Sequence, residues 1–564
     1  MKKQDSSSLK NKNSPIAKFI FEKFNFWTVV ILVVLVLAVI FIIYPFSRLL
    51  IQSFHNKEGG LTLENYANFF QRKYYITTLF NSLKVCVATT LLTVVLGVPM
   101  AYISTRYNIW CKKLINIMII LSLMSPPFIG AYSWILLLGR NGLITRMLGS
   151  IGINIGSIYG FNGILLVFTL KLFPFVYMYV SGALGSMDSS LEEAAENLGV
   201  SGIKKLMTVT FPLVLPTILS SALIVFMTSL ADYGTPYLIG EGYRVLPVTI
   251  YDEYMGEVGG NVTFASALSV IIVLCSLTVL LFQKKVIDKR SYNMSSLRPP
   301  KIKELATGKR ILATAFVFFV ALLSVLPQIT VVISSFVKTN GPRFVSGFSL
   351  ESYTQVMFKL GKNIKNTFLF GMIALLVMML LGLLLSYIIV RRKSKVSGFI
   401  DTLVMFPYVI PGSVLGISLV TAFNTGHLVL TGTVTILVVS YVIRKLPYTL
   451  RSSIGILYQL DTSVEEASIS LGVAPMKTFF MTTARLMLPG LLSGAVLSFI
   501  STINELSSTL ILYSAKTGTI SVAIFSEIIR DGYGPAAALS SILTLATIVS
   551  LLIFNKISGG RSVI

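Results

Sequence analysis

Long apolar runs separated by short polar stretches dominate this chain and predict helices that cross a membrane. A helix needs about 20 mostly apolar residues to span the hydrocarbon core. The third run is interrupted by Pro126 and Pro127, and the ninth by Pro407 and Pro411. The pattern predicts an all-α polytopic membrane protein with 12 transmembrane helices, six in each half. The predicted spans lie near residues 27–50, 78–103, 114–138, 161–183, 213–231, 262–282, 311–335, 367–390, 398–422, 428–448, 490–513 and 535–555.

The composition and charge distribution fit a membrane protein. Hydrophobic residues make up 54% of the chain and charged residues 12%, whereas soluble proteins have about 25% charged residues. The net charge is +24, and the basic residues gather near the N-terminus, after the second and eighth spans, and between the halves. Lys and Arg accumulate in cytoplasmic segments. The distribution therefore predicts cytoplasmic N- and C-termini and argues against nucleic-acid binding.

The pattern divides the chain into four segments. Residues 1–26 form a polar N-terminal tail, and residues 27–283 form a first unit of six spans. The first span is too long for a signal peptide and lacks a small-residue cleavage site, so we expect it to be retained. Residues 284–310 form a basic linker with two prolines, and residues 311–564 form a second unit. The linker predicts a connector between two separately built halves.

The two halves are related by an internal repeat. Residues of the segment 188–216 recur without a gap in the segment 461–489, at a spacing of 273 positions. Gly97, Tyr102 and Arg106 recur at a spacing of 285. Both copies keep the same charge orientation, so the repeat is parallel and not inverted. Two such units predict a single pathway at a pseudo-twofold interface.

A short polar helix appears in both copies, as LEEAAENLGV (191–200) and VEEASISLGV (464–473). Ser190 and Glu193 have the spacing of a capping box, and so do Ser463 and Glu466. Gly199 and its counterpart are predicted to end the helix, before a proline re-enters the membrane. In the first copy Leu191, Ala194, Ala195 and Leu198 form one apolar face. The alternative is a hairpin that only covers one end of the bundle.

This pattern resembles the EAA loop of type I ABC importer permeases, in which EAA is followed by a glycine and a re-entering proline. The second copy departs from it at Ser468. In that family the loop is a coupling helix that seats in a cleft of the ATPase subunit. The resemblance covers essentially the whole chain and implies these coupling residues: Glu192, Glu193, Ala194, Ala195, Gly199, Glu465, Glu466, Ala467, Ser468 and Gly472.

The chain itself lacks the sequence of an ATP-binding protein. No G-x-x-x-x-G-K-[ST] phosphate loop occurs in it. The resemblance implies that two copies of a separate ATPase bind ATP and Mg and dock on the two loops, so the chain is a permease and not an enzyme. The different-class alternative is an ion-coupled secondary transporter, which would need charged residues deep in its spans.

Two carboxylates occupy equivalent places in the repeats. Asp232 and Glu505 are 273 positions apart, and each follows its re-entry proline by sixteen residues, about 24 Å along a helix. A carboxylate within a membrane is costly unless it faces a polar cavity or a partner. We expect Asp232, Glu505 and the adjacent Tyr233 to line the pathway, meeting a cationic substrate or forming an outer gate. The alternative is a helix-end carboxylate that is wetted or caps backbone N–H groups.

Three further stretches, 125–145, 231–240 and 505–525, look like the fused permeases of ferric-iron importers. Those permeases are similar to ones for 2-aminoethylphosphonate, polyamines, thiamine and oxyanions such as sulfate and molybdate. The resemblance implies a permease of the bacterial cell membrane that receives ferric iron from an extracellular or periplasmic binding protein. The three cysteines and two histidines have no metal-ligand spacing, so the sequence assigns no metal site.

Overall fold

The computed structural model of this protein describes residues 26–56, 58–123, 125–154, 156–256, 260–288, 302–341, 343–426 and 428–557. The N-terminal tail lies outside these residues apart from Phe26, and so does the middle of the linker, 289–301. The expectations for those two segments therefore stay predictions.

The first half consists of long helices joined by short connecting helices. Two π-helical turns, at 39–43 and 206–210, extend helices without a break. The helices are α1 (Phe26–Ala38), α2 (Tyr44–Ser53), α3 (Glu64–Gln71), α4 (Lys73–Arg106), α5 (Lys112–Leu123), α6 (Pro127–Leu138), α7 (Leu143–Ser150), α8 (Phe161–Gly185), α9 (Ser189–Asn197), α10 (Gly202–Lys205), α11 (Phe211–Ala231), α12 (Gly234–Ile239), α13 (Leu246–Met255) and α14 (Val262–Asp288).

The second half repeats this order and adds an antiparallel hairpin in which Val337 pairs with Phe348. A π-helical turn at 479–483 matches the one at 206–210. The elements are α15 (Thr307–Ser335), β1 (Val337–Asn340), β2 (Arg343–Phe348), α16 (Glu351–Arg391), α17 (Lys395–Val409), α18 (Gly412–Phe423), α19 (Val434–Gln459), α20 (Ser463–Ser470), α21 (Pro475–Thr478), α22 (Ala484–Ile503), α23 (Thr509–Leu512), α24 (Ile520–Ile529) and α25 (Tyr533–Ile557).

Eleven of the 12 predicted spans meet a simple criterion of length and apolar composition. Within the described residues, nine helices are long and apolar enough to cross a membrane, and two bent helix pairs raise the number to 11. The pairs bend by 106° and 108°, at the prolines that interrupt the third and ninth predicted spans. The remaining predicted span, 428–448, corresponds to α19, which carries Arg444, Lys445 and Arg451. These three charges keep α19 out of that number, although its 26 residues reach about 39 Å, which is long enough to cross a membrane.

The two halves are interlocked instead of separately built, because the first span of each half packs against the other half. Ile42, in the turn between α1 and α2, belongs to a core formed mainly by residues of the second half. Val320 of α15 belongs to the core of the first half. The Ser133 hydroxyl on α6 donates a hydrogen bond to the Pro327 carbonyl on α15 (2.9 Å). Separating the halves would therefore expose both cores.

Equivalent glycines allow close helix contacts in both halves. A Cβ on Gly97 of α4 would lie 2.8 Å from Val176 Cβ on α8. A Cβ on Gly382 of α16 would lie 2.7 Å from Thr449 Cγ2 on α19. Small residues at such crossings let membrane helices approach closely. The recurrence of Gly97 as Gly382 is thus a packing requirement of both halves.

We expect Gly382→Val to destabilise the protein by about 1–3 kcal/mol, because overpacking a close contact forces neighbouring side chains and backbone to move. Thermal unfolding of the purified chain in detergent measures the effect. Gly361→Val is the matched control, since it lies on the same helix and its Cβ would have nothing within 4 Å. Equal melting temperatures for the two variants would contradict the packing role.

Candidate functional site

In each half, an aspartate side chain accepts a hydrogen bond from the backbone at the start of the repeated polar helix. Asp188 Oδ1 accepts a hydrogen bond from the Ser190 backbone N–H (2.9 Å). Asp461 Oδ1 accepts one from the Ser463 N–H at the same distance (2.9 Å), which lowers the pKa of Asp461. The predicted capping boxes at Ser190 and Ser463 are therefore wrong. The first helix begins at Ser189, with Asp188 as its N-cap. The second helix begins at Ser463, and its N-cap residue, Thr462, makes no side-chain capping bond.

The same helices end as the sequence predicts, at glycines with a left-handed backbone. Gly199 has φ 79° and Gly472 has φ 84°. The next residue in each copy returns its N–H to a carbonyl of the last helical turn, Val200 to Ala195 (2.9 Å) and Val473 to Ser468 (3.2 Å). This is the Schellman pattern, which favours glycine because other residues are strained there.

An ion pair fixes each polar helix to the end of the longest helix of its own half. Arg106 at the end of α4 pairs with Glu192 (2.9 Å), and Arg391 at the end of α16 pairs with Glu465 (3.1 Å). Arg391 also donates to the Leu460 carbonyl (2.7 Å). This role of the two arginines was not predicted. The sequence carried a signal for it, because Arg106 recurs as Arg391 in the repeat.

The other predicted coupling residues divide between the bundle and the outer side of the loops. Ala195 is buried, and Ser468, its counterpart, is half-buried and shares a hydrogen bond with Thr478 Oγ1 (3.0 Å). A leucine before each glycine is the most exposed apolar residue of its loop, Leu198 at 83% and Leu471 at 85%. Among the remaining predicted residues, Glu193 is half-buried, and these are exposed: Ala194, Gly199, Glu466, Ala467 and Gly472.

The first loop has an additional contact, with the end of the linker. The Lys303 backbone N–H donates to the Arg106 carbonyl (2.8 Å). The Lys303 and Lys205 ammonium groups donate to Glu196 Oε1 (3.1 and 2.6 Å). Hydrogen bonds from Lys205 and Lys303 lower the pKa of Glu196 to about 2. The second copy has Ile469 at this position, so the two loops differ in what holds them.

We expect Glu196→Gln to speed hydrogen exchange of the Lys303 backbone amide about two- to fivefold, because exposed ion pairs contribute little each. Acidification should also lower the protection of this amide, measured against its intrinsic exchange rate at the same pH. The pKa of Glu196 is depressed, so its contribution is present above its ordinary value of 4.5 and is lost as the pH falls through about 2. Glu304→Gln, an exposed change in the same segment, is the control. Unchanged exchange in Glu196→Gln would contradict linker docking.

A second pair of equivalent sites lies where two helices end. Asp232 follows the last residue of α11, and its Oδ1 accepts the Thr235 backbone N–H at the start of α12 (3.0 Å). Glu505 follows α22, and its Oε1 accepts the Ser508 backbone N–H before α23 (3.2 Å). Irregular backbone within a membrane needs such partners. The alternative of a capping carboxylate therefore describes the contacts of both residues.

Basic residues within the helices neutralise these carboxylates. Lys171 of α8 pairs with Asp232 (3.1 Å). Arg444 of α19 pairs with Glu505, and so does Lys445 (2.7 Å). Lys171 and Arg444 are equivalent in the repeat, again 273 positions apart. Charged side chains therefore lie within helices of both halves. We call these five residues the charge cluster.

The signal for the basic members of the charge cluster was in the sequence. Each repeat-equivalent base stands three residues before a proline, in KLFP (171–174) and RKLP (444–447). Lys445 breaks the symmetry, because Leu172 occupies the equivalent position. The charge cluster therefore contains three basic and two acidic side chains.

Tyr233 lies beside the charge cluster in an aromatic group. Its ring centroid is 4.6 Å from that of Tyr251, 5.2 Å from Tyr237 and 5.9 Å from Phe525 of the second half. Only 1% of Tyr233 is exposed, and its hydroxyl has no hydrogen-bond partner among the described atoms. The ring therefore packs between the halves.

A small cavity borders the charge cluster between α15 and the first half. It holds about 20 Å³, which is room for about one water molecule. Its lining includes Lys171, Ser125, Ser324 and Gln328. The Gln328 amide oxygen and the Ser125 hydroxyl are buried without a hydrogen-bond partner in the described structure. Within the same described residues, no group of three or more His, Cys, Asp and Glu side chains could hold a metal ion.

These features define a class of protein: an all-helical membrane protein with two repeat-related loops, each capped, stopped by glycine and fixed to its bundle. The sequence matches the family "Binding-protein-dependent transport system inner membrane component" twice, over residues 93–291 and 378–560. The chain therefore belongs to this family. It is a fused, two-repeat permease subunit of an ABC importer and a multi-pass inner-membrane protein, whereas the ATPase of such importers is a separate subunit.

Two relatives are similar over most of their length. The ferric transport system permease protein FbpB of Actinobacillus pleuropneumoniae is 30% identical over 539 residues, covering 94% of this chain and 78% of that one. The Fe(3+)-transport system permease protein FbpB 2 of Haemophilus influenzae is 27% identical over 547 residues, covering 94% and 98%. A crystal structure of a bacterial alginate ABC transporter aligns with a TM-score of 0.39 and 18% identity, over 50% of this chain and 100% of that one.

Proposed function

We propose that this chain is the permease of a ferric-iron importer. The observation that carries the proposal is the 30% identity, over 94% of the chain, to a ferric transport permease. Matches to spermidine/putrescine and molybdenum permeases cover only 46% and 36% of the chain. A relation that extends through both halves and the connection between them favours iron as the cargo.

Two copies of an ATPase subunit are the proposed partners, one on each loop, and they bind the ATP and Mg. The exposed Leu198 and Leu471 support this arrangement, since each is an apolar tip beside a glycine and suits a partner's cleft. The basic distribution supports loops and both termini on the cytoplasmic side. An extracellular or periplasmic binding protein would deliver the cargo to the opposite side.

The pathway is proposed to pass the charge cluster, with Asp232, Tyr233 and Glu505 at or behind its wall. The support is position: these residues lie where helices end inside the bundle and where the halves meet. If the charge cluster acts as a gate, its ion pairs must break or rearrange for cargo to pass. Asp232→Asn combined with Glu505→Gln should then reduce uptake while the ATPase still assembles.

Uptake of radiolabelled ferric iron tests the proposed function. The permease is purified with its ATPase, reconstituted into vesicles and supplied with its iron-loaded binding protein. ATP-dependent accumulation is expected, and it should disappear without ATP or without binding protein. Accumulation of spermidine, thiamine or 2-aminoethylphosphonate, without accumulation of iron, would show that this compound and not iron is the cargo. Ion-driven uptake by the lone chain would instead indicate a secondary transporter.

An oxyanion is the second candidate cargo, and one observation favours it. The charge cluster has three basic and two acidic members, so its excess charge is positive. Molybdate or sulfate would suit such a site better than a bare cation. Labelled molybdate in the same vesicles separates the two candidates.

A further inference from the structure

The charge cluster is more basic than a site for a bare metal cation requires. Glu505 accepts two cations, Arg444 and Lys445, and Asp232 accepts one. A buried positive charge without a matching anion is costly. An anion that reaches this level of the pathway would remove that cost.

The cations of the charge cluster also stand closer to open space than the carboxylates do. The basic side chains keep 11–14% of their surface exposed, and the two carboxylates 5–6%. Lys171 lines the cavity between the halves. The groups that cargo meets first are therefore ammonium and guanidinium groups. These are donors for oxyanions.

We propose that the charge cluster binds oxyanion ligands that accompany ferric iron, carboxylate or phosphate, so that iron crosses as an anionic or neutral complex and not as a bare cation. This inference rests on the proposed function and deepens it. Lys445 supplies the unmatched charge. The cavity of about 20 Å³ is too small for such a complex, so binding requires the two halves to move apart.

The repeat provides a variant that removes only the excess charge. Lys445→Leu places at this position the residue that the first half has, Leu172. The Arg444–Glu505 and Lys171–Asp232 pairs remain, and the charge cluster becomes neutral. Lys445→Arg keeps the charge and is the matched control. Melting temperature and ATPase co-purification show whether each variant is folded.

The experiment follows radiolabelled iron and a labelled oxyanion in the same reconstituted importer, with citrate in one arm and inorganic phosphate in the other. We expect one of the two oxyanions to accumulate with iron. Lys445→Leu should lower both signals at least about tenfold, as expected for loss of a charge-assisted contact, and Lys445→Arg should retain them. The arm that shows co-accumulation identifies the oxyanion.

Several outcomes would overturn the inference. Iron accumulating without either oxyanion would do so, and so would wild-type uptake by Lys445→Leu. A folded Lys445→Leu protein that loses iron uptake, when the wild type carries no oxyanion, would make Lys445 a structural residue only. Oxyanion accumulation without iron, or no uptake of either, would instead refute the proposed iron function on which the inference rests.

Discussion

Replacing Glu465 with glutamine should reduce ATP-driven uptake at least about tenfold while the protein remains folded in the membrane. The Glu465 carboxylate binds Arg391 (3.1 Å), and both side chains are 14% exposed. Removing one partner of a largely buried ion pair costs about 3–5 kcal/mol. Glutamine keeps part of the hydrogen bonding, so we expect the lower end of this range. Each 1.4 kcal/mol is a factor of ten, which is enough to detach the second loop from its bundle.

The chain offers a matched control at the next residue. Glu466 is exposed, so Glu466→Gln changes the same charge without breaking the anchor and should leave the melting temperature of the permease unchanged. ATPase turnover and uptake are measured in vesicles, and thermal unfolding is measured in detergent. The anchor is contradicted if Glu465→Gln and Glu466→Gln melt at the same temperature. A folded Glu465→Gln protein that still couples ATP hydrolysis to uptake would also contradict it.

The equivalent change in the first half should have a smaller effect. Glu192 pairs with Arg106 (2.9 Å) and also accepts the Thr210 hydroxyl (3.1 Å). The same helix is held by Glu196 through Lys205 and Lys303. The ion pairs of Glu196 do not involve Glu192. Because they survive in Glu192→Gln, the first loop should stay in place. Comparing the two glutamine variants therefore measures the asymmetry between the loops.

Glu505→Gln should destabilise the protein more than Asp232→Asn does. Glu505 neutralises two basic side chains and accepts the Ser508 N–H, whereas Asp232 neutralises one and accepts the Thr235 N–H. Leaving a buried charge unpaired costs about 3–5 kcal/mol. We expect Glu505→Gln to reach this range and Asp232→Asn to fall below it, as measured by thermal unfolding in detergent.

A double variant separates charge pairing from helix capping. Lys171→Met combined with Asp232→Asn removes both charges and retains an amide that can cap α12. Replacing a buried pair by neutral groups is often close to neutral for stability. The double variant should therefore melt above Asp232→Asn alone. Lys171→Met alone is measured as well. A double variant that melts below both Lys171→Met and Asp232→Asn would show that the charges act independently of each other.

The fold was largely readable from the sequence because its signals are local. Apolar runs predict helices within one stretch of chain, and prolines predict the bends of 106° and 108°. The predicted helix stop at Gly199 is confirmed by its φ of 79°, since only its own backbone decides it. The predicted helix cap was Ser190, whereas the observed cap is Asp188, two residues earlier. Aspartate and serine both cap helices, and their order alone does not choose between them.

The partners of the basic residues in α19 could not be predicted from the sequence. An apolar pattern shows that α19 is a helix, yet it does not show what surrounds Arg444 and Lys445. The carboxylate that binds them, Glu505, lies 61 positions from Arg444 in the chain. Charges inside a membrane become tolerable once a partner is adjacent. Hydropathy alone cannot supply that partner.

By itself, the sequence determined that this protein is a doubled, all-helical membrane protein with two repeated polar loops, because periodicity, turn residues and the repeat are properties of neighbouring positions. The tertiary structure alone decided that the first spans exchange between halves, that Arg106 and Arg391 anchor the loops, and that Lys171, Arg444 and Lys445 meet the two buried carboxylates. These contacts join residues far apart in the chain. Their selection depends on packing and desolvation, which arise only when the helices come together.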